Sequence, residues 1–197
     1  MMTIGLTGGI GMGKSTAAKI LNRLGFPIYN ADDAVHSLMG QGGDAVKPIA
    51  RLFPDAVKNG VVDRKILGSL VFGKPEPLKK LEAILHPRIR KIEKSAIAEA
   101  KKTGHKAIIL EIPLLFETGG QERCDFVITV TAPRTVQQAR VMRRKGMTLA
   151  KFKSILKHQI TDRDRKQHAD YIVRTDKGLA DTKRQLCHIL EQLGLLG

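Results

Sequence analysis

The segment Gly8-x-x-x-x-Gly13-Lys14-Ser15 has the spacing of a phosphate loop, G-x-x-x-x-G-K-[ST]. Backbone N–H groups converge on an anion only where side chains stay out of the way, which accounts for glycine at Gly8, Gly9, Gly11 and Gly13. A helix that starts at Lys14 points its positive end at the same anion. Lys14 would then reach the β- and γ-phosphates of a nucleotide. The Ser15 hydroxyl would ligate Mg²⁺, and Thr16, in the first helical turn, would touch the α-phosphate. Met12 contributes backbone to the same loop.

Phosphoryl transfer to a small acceptor asks for more than a loop. It needs a carboxylate near the acceptor hydroxyl, a region that grips the acceptor, and basic groups that close over the moving phosphoryl. Asp32 follows a short apolar strand, and ligands of open parallel sheets bind off the carboxyl ends of strands. It would take the hydroxyl proton or orient the hydroxyl. The equally weighted reading is a helix N-cap, a role open to Asn30, Asp32 and Asp33. Arg140, Arg143 and Arg144 are spaced to share one helix face and to bind phosphoryl oxygens. Glu111 and Glu117 are either ligands of magnesium-bound water or plain loop acids, the latter favoured for Glu117. Cys124 and Cys187 have no catalytic context and read as packed thiols.

These groups must be held by an α/β framework. Strands are expected at 3–7, 26–29, 107–112, 126–131 and 171–173, mostly unalternated apolar runs of the kind buried on both faces of a parallel sheet. Helices are expected over 14–24, 135–145, 149 to about 158, and 179–193. Residues 34–104 read as a helical insertion with no strand, cut into short helices by Gly and Pro, including breaks at Gly73-Lys74-Pro75 and His86-Pro87. A longer helix follows over 89–102. Alternating strands and helices make a doubly wound, P-loop NTPase-like parallel sheet of about five strands the expected fold.

Composition narrows the function. The chain has 197 residues, 42% hydrophobic and 27% charged, which suits a single globular domain with a small inserted subdomain. Its net charge of +15 points to an anionic partner. The excess is concentrated in 74–106, with ten Lys/Arg against four acids, and in 140–166, with ten against two. Aromatic residues are 4% and Trp is absent, so a specific nucleic-acid reader is not expected. Asp-x-x-Gly does not occur, which excludes the usual GTPase switch. No apolar run suits a membrane span, and the opening residues give no reason to expect a leader of secretory type. Two cysteines fit a reducing, cytoplasmic setting. A monomer is expected, with an oligomer left open.

The whole chain resembles the dephospho-CoA kinase family. The resemblance is carried by Leu6 to Thr16, Asn30-Ala31-Asp32, Leu85-His86-Pro87, Pro113-Leu114-Leu115-Phe116-Glu117, the Arg140 to Arg144 segment and Ala169-Asp170-Tyr171-Ile172. It implies transfer of the ATP γ-phosphoryl to the ribose 3′-hydroxyl of dephospho-CoA, with Mg²⁺. It also implies three parts: a nucleotide-binding core (1–33, 105–138, 167–197), a helical CoA-binding domain (34–104) and a lid (139–166). By position, Asp32 would be the base, with Lys14 and Arg140 catalytic beside it. Gly8, Gly9, Gly11, Met12, Gly13, Lys14, Ser15, Thr16, Arg140 and Arg144 would hold ATP. Leu85, His86, Pro87, Arg88 and Leu114 would lie on the acceptor side, unless His86 merely caps a helix. Two positions depart from the family pattern: Asn30 where an acid is usual, and Thr175, close to the adenine, where an asparagine is usual.

Overall fold

The computed structural model describes every residue from Met1 to Gly197. The chain forms two units, one of Met1–Tyr29 with Glu99–Gly197, the other of Asn30–Ala98. No helix is long and apolar enough to cross a membrane.

The first unit is built on β1 (Met2–Thr7), α1 (Lys14–Arg23) and β2 (Ile28–Asn30), then β5 (Ala107–Glu111), β6 (Phe126–Thr131), α6 (Arg134–Met142), α7 (Leu149–Lys157), α8 (Asp162–His168), β7 (Tyr171–Arg174) and α9 (Leu179–Gln192). Its sheet has the order β2-β5-β1-β6-β7. β1 lies parallel to β5 and β6, and β7 parallel to β6, with Leu6 level with Glu111 on one side and Ile128 on the other. All five residues of β5 are buried, as the unalternated apolar run required. Ile4, Leu6, Ile109 and Ile128 form the core with Ala17 and Leu21 of α1 and Leu186 and Leu190 of α9. Truncating Leu6 to alanine there would cost about 2–5 kcal/mol. α1 ends as its sequence suggests. Gly25, at φ 93°, and Phe26 return their N–H groups to Asn22 and Leu21 in a Schellman cap.

The second unit comprises α2 (Ala31–Met39), α3 (Val46–Leu52), β3 (Val57–Lys58), β4 (Val61–Val62), α4 (Arg64–Val71) and most of α5 (Pro75–Lys102). Leu38, Ile49, Leu67, Leu81 and Leu85 fill its core. Two expectations are corrected here. The insertion is not free of strands: β3 and β4 pair as a small antiparallel hairpin. Asn59 (φ 50°) and Gly60 (φ 76°) are both left-handed at its turn, the conformation an Asn-Gly pair favours between short strands. Nor does Pro87 break the chain into two helices. α5 runs through it for 28 residues. Proline in a helix interior costs about 3 kcal/mol. Against that stand the burial of Leu81, Ile84 and Leu85 and the packing of Ile89 and Ile92 on the same core. The Arg88 guanidinium also braces the region, donating to the Ile84 carbonyl at 2.7 Å and the Asp44 carbonyl at 3.2 Å.

Two further differences lie in the basic segment. α6 stops at Met142, so Arg143 is its C-cap and Arg144 sits in the turn beyond; only Arg140 of the three is helical. α8 is a helix that no apolar periodicity in the sequence marks. Thr161 caps it by accepting from the Asp164 N–H at 3.1 Å, with Asp162 and Asp164 in the favoured first turn.

Candidate active site

The turn from β1 into α1 is shaped by contacts only glycine permits. At Gly11 (φ 75°) a Cβ would lie 2.5 Å from Val141 Cγ2, and at Gly13 (φ 92°) 2.9 Å from Thr175 Oγ1. The Met12 side chain is buried, its thioether accepting the Ala132 N–H at 3.1 Å. Lys14 Nζ donates to Glu111 Oε1 at 2.7 Å, and both side chains are nearly buried. Glu111 is therefore the strand-end acid facing the loop's cation, not a loop acid. Ser15 is exposed and Thr16 half-buried at the start of α1.

Thr175 is tied to the same loop. Its hydroxyl donates to the Met12 carbonyl at 2.8 Å. Arg140 then donates one guanidinium nitrogen to that hydroxyl at 2.8 Å and the other to the Thr175 carbonyl at 2.6 Å. The bidentate grip fixes Arg140 beside the loop, whereas Arg144 is exposed in its turn. Leu114, expected on the acceptor side, is partly exposed between β5 and β6.

Glu117 proves to be structural. Its Oε1 accepts the Ile160 N–H at 2.9 Å and lies 3.7 Å from Arg165. Arg165 is 2% exposed and returns a hydrogen bond to the Ile160 carbonyl at 3.0 Å. Burial lowers its pKa, opposed by the charges of Glu117 and Asp162. A cavity of about 330 Å³ opens beside it, lined by Gly9, Arg134, Gln137, Gln159 and Asp162 among others.

In the helical unit, Asn30 settles which residue caps α2. Its Oδ1 accepts from the N–H groups of Asp32 at 2.8 Å and Asp33 at 3.1 Å. The Asp32 carboxylate is thus not spent on capping and stands exposed in the first helical turn. His86 is not a cap either: it sits exposed in the middle of α5, beside exposed Pro87. Leu85 is buried in the unit's core and offers an acceptor no free face, a correction to its expected place that follows from its position on the apolar stripe of α5. Arg88 is half-buried and engaged with backbone carbonyls.

No group of three or more His, Cys, Asp or Glu is placed to hold a metal ion. The donor set near the loop, one serine hydroxyl and one carboxylate, suits Mg²⁺ carried in with a nucleotide's phosphates rather than a protein cage.

Sequence patterns singled out the loop, Asp32 and Arg140. They passed over Gln137 and Gln159, which reach the loop backbone from α6 and from the turn after α7. Nothing in the type or spacing of two glutamines marks them.

The dephospho-CoA kinase family model matches residues 2–181. A dephospho-CoA kinase of Brucella melitensis is 45% identical over 98% of this chain and 96% of its own. One of Paramagnetospirillum magneticum is 48% identical over 82% of this chain and 76% of its own. Among solved structures, a Thermus thermophilus protein superposes with TM-score 0.85 at 34% identity, covering 98% of this chain and 97% of its own. The dephospho-CoA kinase of Campylobacter jejuni gives 0.64 at 29% identity, covering 97% and 96%. A shikimate kinase of Bacteroides thetaiotaomicron, 16% identical with TM-score 0.53 over 98% of this chain and 99% of its own, shares the fold. A match spanning both the phosphate loop and the helical insertion leaves one assignment: the chain belongs to the dephospho-CoA kinase family.

Proposed function

We propose that this protein transfers the γ-phosphoryl of ATP to the ribose 3′-hydroxyl of dephospho-CoA, giving coenzyme A and ADP. Family membership over nearly the whole chain is the observation that carries the reading. Within it, the loop Gly8–Thr16 holds the ATP phosphates through backbone N–H groups. Lys14 exchanges Glu111 for phosphate oxygens. Arg140 and Arg144 neutralise charge on the moving phosphoryl, and the segment 139–166 serves as a lid. Asp32 accepts the proton of the 3′-hydroxyl, which sharpens the oxygen as a nucleophile. The region 34–104 holds the acceptor, with His86, Pro87 and Arg88 on that side and Leu114 from the core (1–33, 105–138, 167–197); Leu85 supports the helix that carries them.

Ser15 would hold Mg²⁺, and when bound the ion supplies charge neutralisation and orientation at the phosphates. Transfer is direct, and no side chain becomes phosphorylated. The protein's work is positioning and charge compensation, which phosphoryl transfer chiefly demands.

The test is an ADP-release assay with purified protein, ATP and Mg²⁺ against a panel of acceptors. Dephospho-CoA is expected to exceed AMP, shikimate and nucleosides in kcat/KM by at least about two orders of magnitude, on the scale by which buried polar complementarity separates substrates. Preference for any of the others would overturn the assignment.

A further inference from the structure

Ile10 is the one residue of the loop whose two backbone polar groups are both held by side chains from elsewhere in the chain. Its N–H donates to Gln159 Oε1 at 3.1 Å, and its C=O accepts from Gln137 Nε2 at 2.8 Å. Neither glutamine is free to drift. Gln137 is 2% exposed, and its own Oε1 accepts from Arg134 at 2.8 Å. Arg134 in turn lies over the Phe152 ring at 4.5 Å. Gln159 precedes Ile160, whose N–H is held by Glu117 and whose C=O is held by buried Arg165. The anchors of the grip thus come from α6, from α7 through Phe152, from the turn after α7 and from α8.

A glycine-rich loop is costly to order, because glycine loses more backbone freedom than any other residue. With Gly8, Gly9 and Gly11 flanking Ile10, this half of the loop has little intrinsic stiffness. Its rigidity must come from outside contacts, and Ile10 is where they attach. The Gln159 carbonyl oxygen also decides which way the Ile10 N–H points.

We propose that Gln137 and Gln159 are positioning residues for ATP. They clamp the Ile10 peptide groups, and so make the geometry of the phosphate loop depend on the basic helical segment that carries Gln159. The inference rests on the reading that the loop holds ATP. Neither residue touches phosphate; each acts through the loop backbone. Losing one such hydrogen bond leaves the loop less ordered and lowers ATP affinity without altering the acceptor's.

The test measures KM for ATP and for dephospho-CoA, with amide hydrogen exchange over residues 9–13, in the full-length protein and in Gln137→Met, Gln159→Met and the double variant. Turnover by the wild type is the control for the underlying reading; if it is absent, that reading fails, whatever the variants do. Each single variant is expected to raise KM for ATP about three- to tenfold, the range of one net hydrogen bond. KM for dephospho-CoA should stay within about twofold, and exchange at residues 9–13 should quicken. Because both side chains hold one residue, the double variant should fall well short of the product of the two single effects. Gln137→Glu keeps the acceptor for Arg134 but replaces the donor to Ile10 by a carboxylate oxygen set against the Ile10 carbonyl, so it should raise KM for ATP at least as much as Gln137→Met. The proposal is overturned if KM for ATP is unchanged in both single variants, if both KM values rise together with a general loss of stability, or if Gln137→Glu behaves as wild type.

Discussion

The side chains proposed for the nucleotide and those proposed for the acceptor are in opposite states. Around the phosphate loop, Lys14 is paired with Glu111, Met12 with Thr175, Ile10 with two glutamines, and Arg140 with Thr175. In the helical unit, the side chains assigned to the acceptor, Asp32 and His86, stand exposed, and only Arg88 is engaged, with backbone. On the proposed reading, the contrast follows from what each would bind. A triphosphate is met by many converging N–H groups, so the loop that carries them has to be stiff beforehand. A hydroxyl is met by one carboxylate, which needs only to be unspent. Asn30 takes the cap role of α2, which leaves the Asp32 carboxylate available for the role proposed for it.

The largest break in this comparison should come from the exposed side. Asp32→Asn is expected to lower kcat by about 10²–10⁴-fold, the usual contribution of a general base, while ATP affinity measured by titration stays within about twofold. A turnover near wild type would remove Asp32 from the chemistry. Lys14→Ala should strike both quantities: ATP affinity and kcat should each fall by about one to two orders of magnitude, since a charge-assisted contact is lost. Thr175→Val sharpens the contrast further. It removes the donor to Met12 and the acceptor for Arg140 at little change in volume, and should raise KM for ATP about threefold to tenfold, whereas Thr175→Ser keeps the hydroxyl and should not.

The smallest effect concerns a buried acid of the helical unit. Glu93 is 3% exposed, and burial raises its pKa despite the nearby Arg90. The native state therefore favours the protonated form. The stabilisation from that form is present at low pH and is lost as pH rises through the folded pKa. Glu93→Gln should accordingly raise Tm at pH 8, with the gain vanishing near pH 4. Thermal melts at the two pH values check it, and a gain that is larger at pH 4 would reverse the sign of the coupling.

Most of the first unit was legible because its signals are local. The apolar runs at 107–111 and 126–131 leave no choice but buried strands, and the glycine spacing leaves no choice but a tight turn before α1. The helical unit is less legible in the sequence, for two different reasons. At Pro87 a local rule yielded to tertiary burial along one helix stripe. At Asn59-Gly60 a local turn signal was present, but strands of two residues are too short to show alternation. Within the site, Lys14 and Asp32 are announced by motif and position. Gln137, Gln159 and the Lys14–Glu111 pair depend on contacts between residues far apart in the chain, and residue type alone does not encode such partners.

Direct transfer from a nucleotide held on a rigid loop is the claim on which these roles depend, and its stereochemistry is measurable. With ATP made chiral at the γ-phosphorus by oxygen isotopes and sulfur, the thiophosphoryl product on the 3′-oxygen should show inversion at phosphorus. Retention would mean that a side chain carries the group in between, and would contradict the positioning account of Asp32, Lys14 and the loop.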